Sequence, residues 1–135
     1  MVADLQLLAK AVDEVQRGRP RLFIETYLKV QSEEGELVPF RFLENQDYYY
    51  RETFGRLRTY HQGMYVHCVK ARKAYSTKYW QAVGFAYRCC MPGFNAVIVI
   101  DSEKNLKPIL QTDDLFYDNM SEEIRPVKGH WDTEY

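Results

Sequence analysis

Side chains able to hold an anion crowd the middle of the chain. Residues 70–78 read KARKAYSTK, with Lys70, Arg72, Lys73 and Lys78 as cations and Ser76 and Thr77 as hydroxyls. A basic turn that runs into a helix opening on Ser–Thr is a common way to bind phosphate. The turn points backbone N–H groups at the ligand, and the helix dipole favours negative charge. This turn carries no glycine. A phosphate turn ordinarily needs one, because the backbone must adopt an unusual φ and approach the ligand closely.

Other chemistries find less support. The histidines are His61, His67 and His130, and no HExxH or comparable metal spacing occurs. His67 and Cys68 are adjacent, so in a strand they point to opposite faces and cannot form a nucleophile–base pair. Ser76 lacks a GxSxG setting. Cys68, Cys89 and Cys90 include no CxxC pair. They read as small apolar fillers in a reducing compartment. The carboxylates Asp101, Asp113 and Asp114 read as strand-end or helix-surface groups.

The elements that must position the basic turn follow from periodicity. At 135 residues and 46% hydrophobic content the chain can build one domain with a core. A net charge of −1 leaves no overall basic field for nucleic acid, so any such binding needs a local patch. No basic-then-apolar leader pattern and no membrane-length apolar run occur, so a soluble, cytoplasmic protein is expected. Leu5, Leu8, Ala9, Val12 and Val15 predict a helix over 3–16, started near Asp4 and stopped by RGRP at 17–20. Arg17, Arg19 and Arg21 read as a solvated linker. Residues 21–31 predict a helix that becomes extended at Lys29–Gln31. A turn at 32–36 bends at Gly35, and Pro39 restricts the following LVPFRF to an edge or loop.

Residues 44–58 predict a helix capped by Asn45. Tyr48, Tyr49 and Phe54 form its aromatic side, and Arg51, Arg56 and Arg58 its basic side. Such interleaving can bind nucleic acid, and it also suits a core face backed by a solvated one. Residues 64–70, MYVHCVK, predict a central strand. A helix follows from Ser76 to about Cys90, stopped by Pro92 and Gly93. AVIVID at 96–101 predicts a second strand, with Asp101 at the end where ligands bind in open α/β sheets. A further helix begins near Ser102 and accommodates Pro108. Strand, helix, strand and helix in this order predict an α/β fold with a right-handed βαβ unit.

The order of these segments resembles the N-terminal part of the large terminase subunit of tailed bacteriophages, the P-loop NTPase motor that packages viral DNA. The residues that carry the resemblance are FIETYLKV…GELVPFRFLENQDYY at 23–49, VKARKAYSTKYWQAVGFAYRC at 69–89, NAVIVIDSEKNLKPI at 95–109 and FYDNMSEEIRP at 116–126. It implies a partial P-loop NTPase-like fold, with N-terminal helices packed on a small parallel sheet. The divisions would be an N-terminal helix and linker at 1–20, an adenine-side segment at 21–58, a strand–loop–helix–strand–helix core at 59–126 and a loose tail at 127–135. In that family a proline–aromatic segment followed by a glutamine contacts adenine, which maps onto Pro39, Phe40 and Gln46. Without the family, Gln46 reads as an ordinary surface helix residue.

The family's phosphate loop reads K-A-R-Q-x-G-x-S-T. Here Lys70, Arg72 and Lys73 would face the phosphates of ATP, and Ser76, with Thr77 beside it, would hold Mg²⁺ through its hydroxyl. The loop is one residue short, and Ala74 stands at the glycine position with Tyr75 next. An alanine there would cost about 1–2 kcal/mol in the left-handed region. The family's acidic strand-end motif would lie past residue 126, and its nuclease domain further on. The expectation is therefore a truncated ATPase-domain fragment that binds ATP weakly and does not hydrolyse it unaided. The portal, the small terminase subunit and double-stranded DNA are the partners implied, and a half-built sheet would leave an edge that favours association. The alternative is a non-catalytic interaction module that binds a packaging partner or DNA.

Overall fold

The computed structural model describes residues 4–56, 66 and 75–126. Helix α1, Leu5–Gln16, starts as its sequence demands: Asp4 Oδ1 accepts from the N–H groups of Gln6 and Leu7, both at 3.1 Å. Its buried face is centred on Ala11 and Val15, whereas Leu5 is 69% exposed and Ala9 is also exposed. The expected Leu5–Ala9 edge of the stripe is thus wrong, because α1 lies against two other helices and the small Ala11 side chain permits their approach. The helix ends at Gly18, whose φ of 78° suits only the left-handed region, and Pro20 opens α2, Arg21–Tyr27.

Beyond Leu28 the chain becomes extended, as expected. Strand β1, Lys29–Gln31, pairs antiparallel with β2, Leu37–Pro39, in the register Val30↔Val38. Gly35 turns the hairpin at φ 82°, and its N–H donates to Ser32 O at 2.9 Å. Pro39 sits at the end of an exposed edge, where its missing N–H is harmless. Helix α3, Glu44–Glu52, runs into a 3-10 turn, Phe54–Arg56. Its N-cap is Leu43, not Asn45, and its packed aromatics are Tyr49, Tyr50 and Phe54, while Tyr48 points to solvent.

Helix α4, Ser76–Cys90, is the centre of the fold. Tyr79, Ala82, Val83, Phe85, Ala86 and Cys90 are buried along it, against α1, α2 and α5, Glu103–Asp118. Gln16 Nε2 donates to Cys90 O at 3.0 Å and ties α1 to its C-terminus. Phe116 of α5, fully buried, packs its ring 5.6 Å from Phe85 and 6.4 Å from Phe40. Arg21, read as part of a solvated linker, instead joins α2 to α3. It pairs with Glu25 and Asp47 and lies 4.6 Å over the Phe42 ring.

The chain is a mixed α/β fold in which helices dominate, and the only sheet among the described residues is the two-stranded antiparallel β1–β2. The strand expected at 64–70 lies outside the described residues apart from Val66, which is exposed and in no regular element. The run 96–101 does not form the expected strand: residues 94–100 have no regular structure, with Val97 84% and Val99 89% exposed. A strand exists only through its ladder partner, and none faces this run among the described residues. The helix expected after it is present, with Ser102 at the N-cap and Pro108 inside. No helix among the described residues is long and apolar enough to cross a membrane.

Two measurements check this packing. Val15→Ala is expected to lower stability by about 1–3 kcal/mol in urea denaturation, and Leu5→Ala to stay within about 0.5 kcal/mol. The reverse order would place the buried face of α1 on Leu5. Burial pushes the Cys89 thiol up to about 11 and Cys90 up to about 12, from 9.0, and the Tyr87 hydroxyl up to about 12, from 10.0. The folded state keeps these protons where the unfolded chain releases them. Their contribution is therefore complete below about pH 9 and is lost as pH rises from there towards 12. Denaturant midpoints measured across pH 8–12 should show a plateau and then a fall.

Candidate functional site

Helix α3 is started by an unusual device. Leu43 offers no side-chain acceptor, so its position as N-cap depends on the third helical residue, Gln46. Gln46 Oε1 accepts from the Leu43 N–H at 3.0 Å, which is one half of a capping box. The same amide reaches the other way: Nε2 donates to Tyr75 O at 3.2 Å. Gln46 is only 2% exposed, so the surface-residue reading is corrected. One side-chain amide joins the start of α3 to the start of α4.

At that second junction Tyr75 has φ 55° and ψ 20°, the only left-handed non-glycine residue among those described. This is a conformation that glycine adopts without steric cost, and here it falls on a bulky aromatic residue. Three contacts surround the strained residue. Gln46 holds its carbonyl, its hydroxyl donates to Glu33 Oε1 at 3.1 Å, and the Lys78 ammonium lies 5.7 Å from its ring centroid. The Glu33 carboxylate that accepts this bond holds the Tyr75 hydroxyl above the ordinary tyrosine range.

These residues enclose a cleft of about 300 Å³ between the β1–β2 hairpin and the starts of α3 and α4. Phe40, Val30 and Leu43 supply apolar surface, Gln46 an amide, and Glu33, Tyr75, Arg41 and Lys78 polar groups. Arg41 Nη1 donates to the carbonyls of Glu25 and Phe40. Such a mixture, mostly apolar with a few polar groups, is typical of small-molecule sites at the lower end of their size range.

The structure brings several expected site residues together. Phe40 and Gln46 line the cleft, and Ser76 and Thr77 open the helix beside it. Thr77 is exposed. Ser76 is buried, and its hydroxyl faces the Tyr49 hydroxyl at 3.0 Å rather than lining the cleft. Pro39 lies on the outer edge of β2 and does not line the cleft either. Lys70, Arg72 and Lys73 lie outside the described residues, as do His61, His67, Cys68 and His130. Lys78, one of the cations of the basic stretch, lines the cleft, and so does Glu33, which nothing in the sequence marks for it; only the hairpin and the α4 start, folded together, bring that carboxylate there.

The carboxylates are placed differently from expectation. Asp113, read as a helix-surface or strand-end group, is 4% exposed. It accepts from Arg88 Nη2 at 2.6 Å and from Gln81 Nε2 at 3.4 Å between α4 and α5. Asp101 is exposed and accepts from Asn105 Nδ2 at 2.6 Å, with no strand ending at it. Among the described residues no three His, Cys, Asp or Glu side chains converge to hold a metal ion.

Compared with protein-family models, with curated proteins and with solved structures, the chain finds no match in any of the three.

Gln46→Leu keeps the volume and removes both amide bonds. The part-buried Leu43 N–H and Tyr75 carbonyl would lose their partner, and stability is expected to fall by about 0.5–2 kcal/mol in urea denaturation. An unchanged midpoint would show that the two junctions do not depend on this amide.

Proposed function

We propose that the chain is an ATPase-domain portion of a terminase large subunit, a viral DNA-packaging protein, and that its cleft binds the base of an adenine nucleotide. The observation that carries the proposal is the meeting of Phe40, Gln46 and the start of α4 at one cleft. The family pattern assigns the first two to adenine and the third to phosphate, from sequence segments far apart. The chemistry suits a base. Gln46 uses one lone pair and one N–H internally, which leaves one acceptor site and one donor for a base edge. Phe40 offers an apolar surface beside it.

The fit to Mg²⁺ is poorer in this arrangement. The Ser76 hydroxyl is enclosed and faces Tyr49, and Glu33 is the one carboxylate among the described lining residues, which is few oxygen ligands for Mg²⁺. Phosphoryl transfer needs positioned metal and a water-orienting acid, so the activity proposed is weak binding without unaided hydrolysis. In the same reading, the fold is a partial P-loop NTPase-like unit built around α4, and the segment that follows this helix returns along it, with Ala96 beside Gly84. The host-cell cytoplasm is the proposed location, and the portal, the small subunit and double-stranded DNA are the proposed partners.

A second reading is favoured by the exposed run Val97–Ile98–Val99: a non-catalytic module that binds a packaging partner or DNA. Titration of a fluorescent ATP analogue separates the two. The first expects saturable binding, weakened about tenfold by Lys70→Ala or Arg72→Ala through loss of a phosphate contact. Absence of binding, joined to salt-sensitive retention of DNA, would replace it with the second.

A further inference from the structure

The geometry points to Glu33 as a residue that recognises the sugar of the bound ligand, so that the cleft selects ribonucleosides over their 2′-deoxy counterparts. This inference rests on the adenine-base reading of the cleft and extends it to a second part of the ligand. Gln46 lies at the buried side of the cleft, against the starts of α3 and α4, and is almost fully enclosed. Glu33 belongs to the exposed hairpin turn on the cleft's outer side. A base that meets the Gln46 amide and the Phe40 ring would therefore carry its sugar outward, towards the Glu33 carboxylate.

Glu33 suits that role for three reasons. Its Oε1 accepts from Tyr75, and Oε2 accepts from no described residue, so acceptor capacity remains. A carboxylate is an acceptor-only group, and a vicinal diol presents paired donors to it, as in the acidic residue that holds ribose in dinucleotide sites. The Tyr75 bond also fixes where that carboxylate stands. The hairpin is itself held by Ser32, whose hydroxyl accepts from Glu36 N–H at 3.1 Å and whose N–H donates to Glu36 O at 2.7 Å. The same carboxylate would repel phosphate, so the phosphates of such a ligand would run away from the hairpin.

The test compares adenosine, 2′-deoxyadenosine and ATP with Mg²⁺, by calorimetry on the full chain and on Glu33→Gln. Adenosine is expected to bind the unaltered chain about five- to tenfold more tightly than 2′-deoxyadenosine, the effect of one charge-assisted hydrogen bond at a partly wet site. Glu33→Gln should remove that preference. Because Glu33 is on an exposed turn, unchanged circular dichroism and melting would confirm that the variant folds. Equal binding of the two nucleosides to the unaltered chain overturns the role of Glu33 while the base reading stands. A preference that survives Glu33→Gln overturns it too. Failure of all three ligands to bind overturns the nucleotide reading itself.

Discussion

The ring of Tyr79 has no exposed surface, and much of the molecule is arranged by what encloses it. Phe42 meets it edge-on at 5.4 Å, Tyr49 lies at 5.8 Å and Trp80 at 4.9 Å. These rings belong to the segment after β2, to α3 and to α4 itself, so their packing sets the distance between the starts of two helices. Aromatic rings add a preferred tilted geometry to the area they bury, and this fixes orientation as well as distance. The Tyr49–Ser76 and Gln46–Tyr75 hydrogen bonds then join the same two helix starts. The cleft is what remains between them and the hairpin.

Among the described non-glycine residues, left-handed backbone occurs only at the cleft's edge. Tyr75 in the left-handed region is destabilising by about 1–2 kcal/mol on general grounds. Left-handed conformations in bulky residues persist where neighbours over-determine them, and they cluster at functional sites. Here the neighbours are identifiable: Gln46 beneath, Glu33 across the mouth and Lys78 over the ring. A glycine would remove the strain and, with it, the side chain that positions Glu33.

The Arg88–Asp113 pair stabilises a different part of the fold. Asp113 is almost fully enclosed, while Arg88 retains about a quarter of its side-chain surface. The arginine also lies 5.4 Å from the Phe85 ring centroid. Removing one partner of such a pair strands a buried charge, so its role is to fix the register of α5 on α4 more than to add net stability. An acidic residue that could be taken for part of a catalytic set is thereby accounted for by packing.

The sequence alone determined the local structure wherever local chemistry is sufficient. Asp4 before an apolar stripe, Gly18 and Pro20 after it, Gly35 in a polar turn, and Pro92–Gly93 after a long amphipathic run all set helix and turn limits that the structure keeps. Pro39 marked an edge for the same reason. Pairing and enclosure were not legible, because both depend on what lies opposite. The β-branched run at 96–101 has the composition of a strand, and without a ladder partner among the described residues it is not one. Ala11 displaced Leu5 from the core because neighbouring helices, not periodicity, choose which flank of a stripe is covered. Gln46 and Asp113 look like surface groups in the chain, and only tertiary contacts buried them. The left-handed turn belongs to Tyr75 because hydrogen bonds from two distant segments meet there.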